Sequence, residues 1–274
     1  MAWLRTIVLA ALATLAARAA PPEPPPADAR LVAKDAAELA FLRVEPAVKA
    51  MLKDLPADYR LQPDVQYVWS DDEGKPIPHL VGLTPLDAAG KPDGMARRFG
   101  GEERRVPYVH GVKEGVEQVF AWHGKEQRLV SETPWVKGVV DGAQKVYHRE
   151  NGKVMMAVPY VQGRRQGEAR TFDLPGRLVK VTPYKDDKPD GAATEFYPGT
   201  TQAKKIIPYH AGKVHGVVQE FYEDGKLRRE LPTCDDRFHG IEKTYDEHGK
   251  LAATRYWLND EAVSPEQYET AGKK

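Results

Sequence analysis

A short pattern recurs down most of this chain: a proline and an aromatic, then x-Gly, a second aromatic, and x-Gly-Lys. The prolines are Pro85, Pro107, Pro134, Pro159, Pro183, Pro208 and Pro232, at spacings of 22, 27, 25, 24, 25 and 24 residues. Eight residues after six of them stands a glycine: Gly115, Gly142, Gly167, Gly191, Gly216 and Gly240. Thirteen residues after stands an aromatic: Phe120, Tyr147, Phe172, Phe196, Phe221 and Tyr245. The Pro85 copy slips by one, to Gly94 and Phe99. A fixed period in this range defines a repeat architecture, in which each copy buries its apolar face only by stacking on its neighbours. Such architectures generally bind rather than catalyse.

One copy shows the expected local structure. The segment Gly216–Tyr222 lies between His215-Gly216 and Asp224-Gly225. The first boundary recurs as Glu114-Gly115, Asp141-Gly142, Gln166-Gly167, Asp190-Gly191 and His239-Gly240. The second recurs as His123-Gly124, Asn151-Gly152, Pro175-Gly176, Pro198-Gly199 and His248-Gly249. An x-Gly pair suits a two-residue hairpin, whose central residues take positive φ. Both boundaries are therefore expected to be such turns, with one strand between them. The second strand follows the second glycine, as in Lys226–Leu231. Each copy is then one β-hairpin, and the aromatic row along one face is expected to bury its members against each other. Proline has no N–H to give a ladder, which places it at a strand edge or a bulge. Asp187 and Asp236 stand where other copies have Gly111, Gly138, Gly163 and Gly212, and are expected to be turn residues tolerant of left-handed geometry.

The fold class is thus all-β: an elongated antiparallel β-hairpin repeat, or meander ribbon, with a short N-terminal helical segment and a C-terminal helical cap. Residues 1–20 are expected to be a signal peptide. Arg5 precedes the apolar run Thr6–Ala16, too short to span a bilayer, and Ala17-Arg18-Ala19 supplies a small-x-small cleavage pattern. The alternative is an N-terminal membrane anchor. No cysteine stands near the cleavage site to take a lipid. Residues 21–30 form a proline-rich linker, read as a stiff spacer or a ligand for a proline-binding groove. Residues 31–63 form a helical or capping segment, residues 64–258 the repeats, and residues 259–274 a C-terminal cap and tail. In that cap, Ser264-Pro265-Glu266-Gln267 is a helix-start signal. The mature protein is expected to be exported, to the periplasm or beyond, with no transmembrane segment after cleavage.

At this point the residues resemble a known family. His215 through Leu227, Asp141 through Lys153 and Gly240 through Leu251 look like the MORN-repeat variant, labelled YwqK-type antitoxin repeat proteins. The likeness covers about Thr84 to Trp257. It implies a β-hairpin scaffold used for binding, and an antitoxin-like partner relationship.

Chemistry is sparse by comparison. Lysine and arginine number 40 and so do aspartate and glutamate, which removes the basic excess that nucleic acid requires. Cys234 is the single cysteine, so no internal disulfide forms. His215 and His239 occupy equivalent positions about 10 Å apart, too far to share a zinc ion. His110, His123, His210 and His248 fall at loops or turns. No His-Glu-x-x-His, Cys-x-x-Cys or Gly-x-Ser-x-Gly pattern occurs. The chain is expected to be no enzyme and to use no cofactor or metal. The candidate binding residues are the aromatics that follow the repeat proline: Tyr108, Trp135, Tyr160, Tyr184 and Tyr209. They form either a row that stacks sugars or a second row of the core. Two functions follow: a scaffold for another protein in the cell envelope, possessing an immunity-like role, or a binder of envelope glycan through the aromatic row.

Overall fold

The computed structural model describes residues 55–56, 58–69 and 76–271. The signal peptide, the linker and the helix expected within residues 31–54 lie outside the described residues. The described chain is an antiparallel hairpin meander that ends in one short helix, Pro265–Ala271. It divides into two compact units. The first holds residues 1–100 with 107–112, the second residues 101–106 with 113–274.

In the first unit, Arg60–Trp69 pairs with Pro76–Leu86 along their full lengths, from Arg60↔Leu86 to Trp69↔Pro76. Gly94–Arg98 joins through Gly82↔Arg98 and Leu83↔Arg97. Leu61, Leu83, Leu86 and Ala96 are buried. Residues 60–63, the end of the expected helical or capping segment, are strand. Leu61 and Pro63 are buried while Gln62 is half-exposed, and this period of two is that of a strand with one face covered.

In the second unit the same strands recur, eight, two and six residues long. Examples are Val154–Val161, Arg164–Arg165 and Gly167–Phe172, then Leu178–Lys185, Lys188–Pro189 and Gly191–Phe196. The hairpin turn lies between the first two. It is built by Lys137-Gly138, Gln162-Gly163, Asp186-Asp187, Ala211-Gly212, Asp235-Asp236 and Asn259-Asp260, where both residues have φ between 49° and 96°. That pair of positive angles matches the right-handed twist of the strands it joins. The turns also stack. The N–H of the second turn residue donates to the copy before: Gly163 to Val140 O at 2.7 Å, Gly212 to Pro189 O at 2.8 Å, Asp236 to Val214 O at 2.9 Å. Where aspartate replaces glycine it adds a bond. Asp187 Oδ1 accepts from Arg165 N at 2.9 Å, and Asp236 Oδ1 from Val214 N at 2.8 Å.

The first x-Gly boundary is not a hairpin turn, which corrects the expectation for Gly115, Gly142, Gly167, Gly191, Gly216 and Gly240. These glycines have positive φ, but the residues before them do not. They sit in a bulge between the two-residue and the six-residue strand. Between the pairs Ala157↔Arg170 and Tyr160↔Arg165, residues Val158 and Pro159 face the four residues Gln166 to Ala169. The ladder is already broken there, so the missing proline N–H leaves nothing unpaired. The proline carbonyl is used, accepting from Gln166 N at 3.0 Å, and from Asp190 N and His215 N in the Pro183 and Pro208 copies. A Cβ on Gly142, Gly191 or Gly216 would come within 3.1 Å of Pro134, Pro183 or Pro208 respectively. The two consensus residues eight positions apart are therefore partners in one contact.

The second x-Gly boundary is a hairpin loop in which only the glycine is left-handed. In the last complete copies, Gly225 N donates to Tyr222 O at 3.0 Å and Tyr222 N to Lys226 O at 2.9 Å. This is a type I turn closed by a glycine bulge. The sheet of the second unit has a covered and an open face. Val158, Ala169, Ala193, Val218 and Leu231 are buried, while the neighbouring Val116, Val217 and Ile241 are exposed on the other face. The terminal helix starts at a capping box: Ser264 N donates to Gln267 Oε1 at 2.9 Å, and Gln267 N to Ser264 Oγ at 3.3 Å. Its Tyr268 packs on Tyr256 with ring centroids 5.5 Å apart.

Candidate functional site

The post-proline aromatics of the second unit, Trp135, Tyr160, Tyr184 and Tyr209, are half-buried, as is Tyr108 in the first unit. Each ring of the second unit stands opposite a residue of the two-residue strand: Trp135↔Val140, Tyr160↔Arg165, Tyr184↔Pro189, Tyr209↔Val214. Cations cover two of them. Lys113 Nζ sits 4.0 Å from the Trp135 ring centroid, and the Arg165 guanidinium 4.4 Å from that of Tyr184. The Trp135 indole N–H is buried with no hydrogen-bond partner.

On the same face lies a chain of charges. Lys205 pairs with Glu220 at 3.3 Å, Glu220 with Arg229 at 3.8 Å, and Arg229 with Glu242 at 2.8 Å. Lys180 pairs with Glu195 at 2.9 Å. These side chains come from the eight-residue and six-residue strands, whose alternation brings them to the covered face at each copy. Every charge in the chain has its partner in an adjacent strand, so this face holds the copies in register.

The second aromatic row differs from expectation. Phe120, Tyr147, Phe172, Phe196, Phe221 and Tyr245 are half-buried like the first row, and a register shift precedes each, as between Thr171 and Phe172. Among the described residues the ring pairs are Phe238–Trp257, Tyr256–Tyr268 and His210–His215, none within this row. Three of these rings meet polar groups. Arg105 covers Phe120 at 4.0 Å, Tyr147 Oη donates to Glu132 at 2.5 Å and Tyr245 Oη to Glu230 at 3.1 Å. Burial and the Glu132 carboxylate push the Tyr147 phenol up to about 12. The Tyr147 hydrogen bond holds Glu132 below its ordinary range.

Two histidines make contacts between copies. His148 Nε2 lies 3.2 Å from Phe172 O of the next copy, and His215 Nδ1 3.4 Å from Asp235. His110, in contrast, meets two carboxylates: Nδ1 is 3.0 Å from Asp93 and 3.5 Å from Asp87. Its partners stand 17 and 23 residues earlier, in the preceding copy, so no local spacing signals the contact. Cys234 is exposed beside the Asp235-Asp236 turn.

The geometry defines a class of protein: an antiparallel β-hairpin repeat with stacked turns. The family described as MORN repeat variant matches residues 214–235 and 238–259, the copies around Gly216 and Gly240. This match supports the MORN-repeat family, whose repeats are generally elements that bind proteins or membranes. No curated protein matches the chain. No helix among the described residues is long and apolar enough to cross a membrane.

Proposed function

We propose that this protein is an exported, non-catalytic repeat scaffold that binds a protein partner in the cell envelope, in an immunity-like role. The observation that carries the reading is the open face of the second unit. Val116 is 44% exposed, Val217 43% and Ile241 36%, and all three occupy the position just after the bulge glycine. Val136, Val139 and Val161 extend the apolar surface around the hairpin turns. A repeated apolar position left open to water is the kind of surface a protein partner covers. The covered face is less suited to sugars, because Lys113 and Arg165 occupy the ring faces of Trp135 and Tyr184 that a sugar would need. Export rests on the leader at residues 1–20 and the immunity-like role on the resemblance to antitoxin repeats.

The test exposes the chain from Pro21 onward, in parallel, to solubilised envelope proteins and to isolated wall polymer. Capture of one stoichiometric protein, lost in Val217→Asp and Ile241→Asp, is the expected result. Retention on polymer alone, competed by free sugar, overturns it. Mass analysis of the protein recovered from outside the cytoplasm checks export, since a chain still carrying residues 1–20 contradicts cleavage.

A further inference from the structure

Two carboxylates and an imidazole converge in the first unit. One oxygen or nitrogen from each of Asp87, Asp93 and His110 lies within 4.8 Å of the other two. Their backbone explains the meeting. Asp87 opens the loop after Leu86, Asp93 precedes the bulge glycine Gly94, and His110 is the first residue of a stacked turn with φ 48°. The turn is locked onto the preceding copy by Gly111 N, which donates to Pro92 O at 2.6 Å.

The carboxylates are oriented from behind. Asp87 Oδ1 accepts from Ala89 N at 3.0 Å and Lys91 N at 2.9 Å, which leaves Oδ2 toward the imidazole. The Tyr59 phenol lies beside Asp93, whose carboxylate helps to raise it. The two carboxylate side chains are only 14% and 15% exposed, whereas that of His110 is 76% exposed. Among the described residues, no lysine or arginine forms an ion pair with either carboxylate, whereas the imidazole lies within ion-pair distance of both.

Ligands on a tetrahedral zinc ion with bonds of about 2.0–2.1 Å lie about 3.3–3.4 Å apart. The imidazole nitrogen lies 3.0 and 3.5 Å from the two carboxylate oxygens, which brackets that spacing. Two carboxylates and an imidazole are a donor set that suits such an ion, and donors held from behind are the usual support of such a site. The exposed imidazole rim gives the ion its entry.

We propose that Asp87, Asp93 and His110 form a binding site for a divalent transition-metal ion, for which zinc is the probe. The site is independent of the protein-binding reading above. Other copies show why it is confined to this place. The position of Asp87 is taken by Val136, Val161 or Lys185, and that of His110 by Lys137, Gln162 or Ala211. Only His210, His215 and Asp235 repeat a set of ligand types, and their donor atoms do not draw together in the same way.

The experiment titrates zinc into the chelator-treated full chain by calorimetry, with cobalt absorption as a second readout. His110→Gln and Asp93→Asn are the test variants, and His215→Gln is the control. Gln162 holds the same turn position as His110 with φ 50°, so the glutamine variant preserves the turn. One zinc per chain is expected, weakened about tenfold or more in both test variants and unchanged in the control. Should Asp93→Asn fail to fold, His110→Gln decides. No saturable binding at millimolar zinc overturns the proposal. So does binding that survives His110→Gln or is lost in His215→Gln.

Discussion

The Trp257 indole N–H donates to Glu242 at 2.7 Å, while the other oxygen of that carboxylate accepts from Arg229 Nε at 2.8 Å. Trp135 and Glu117 occupy the same two positions earlier in the second unit, yet they do not bond. Arg104 and Lys113 each reach Glu117 at 2.8 Å, leaving the Trp135 indole N–H without a partner. Between these two copies the glutamate position holds Gln144, Ala169, Ala193 and Val218. Glu117 and Glu242 are both buried, so each carboxylate needs its donors to offset desolvation.

Trp257→Phe should therefore cost about 1–3 kcal/mol more than Trp135→Phe, because only the first leaves a buried carboxylate short of a donor. Urea unfolding of both variants reads the difference. Equal losses would show that the indole bond contributes nothing.

Gly240 combines φ 126° with a Cβ position 2.8 Å from Pro232 Cβ, whereas Gly249 has φ 81° and open space. Gly249→Ala should cost only the left-handed backbone strain, about 1–2 kcal/mol. Gly240→Ala adds displacement of the proline ring and should be clearly worse in the same denaturation assay. Similar costs would refute the Pro–Gly contact.

Asp236 holds φ 70° and accepts from Val214 N. Asp236→Gly loses that bond but relieves the backbone, while Asp236→Ala loses the bond and keeps the strain. The alanine variant should unfold first, by about 1–2 kcal/mol relative to glycine. A more stable alanine variant would contradict the turn geometry.

The Tyr147–Glu132 pair sets a pH window. A phenol raised from 10.0 to about 12 contributes stability that is complete below pH 10 and is lost as pH rises through about 12. On the acid side, the lowered Glu132 contributes above its ordinary 4.5 and loses its effect as pH falls through the depressed value. The phenols of Tyr59 and Tyr245 are raised as well, so alkaline difference absorbance should show a late-titrating component that loses one phenol in Tyr147→Phe and in which one phenol shifts toward 10 in Glu132→Gln. Titration of Tyr147 with the bulk tyrosines would rule the hydrogen bond out.

Much of the scaffold was legible because its signals are local. A positive φ is a property of one residue and its neighbours, and so Asp187 and Asp236 could be placed in turns without any knowledge of packing. The start of the terminal helix at Ser264 was equally plain, since a capping box closes within four residues. The first x-Gly boundary misled because a glycine signals left-handed backbone without saying whether the chain reverses there. Gly216 has the angle, yet its strand continues past the bulge.

The candidate sites were less legible, since their contacts run sideways between copies. Nothing local in Asp87, Asp93 or His110 points to the other two; the stacking of one turn on the preceding loop brings them together. The same holds for Phe172 and Tyr147, whose distance from other rings follows from one extra residue in the facing strand.

Repeat period, hairpin chemistry and the proline-to-glycine spacing are all written in the order of residues, because short-range sterics and backbone angles enforce them. Which face is covered, which cation lies over which ring, and which carboxylates share an imidazole arise only when strands take their register. Those contacts join side chains from neighbouring strands, and their energies depend on distances that no single copy contains.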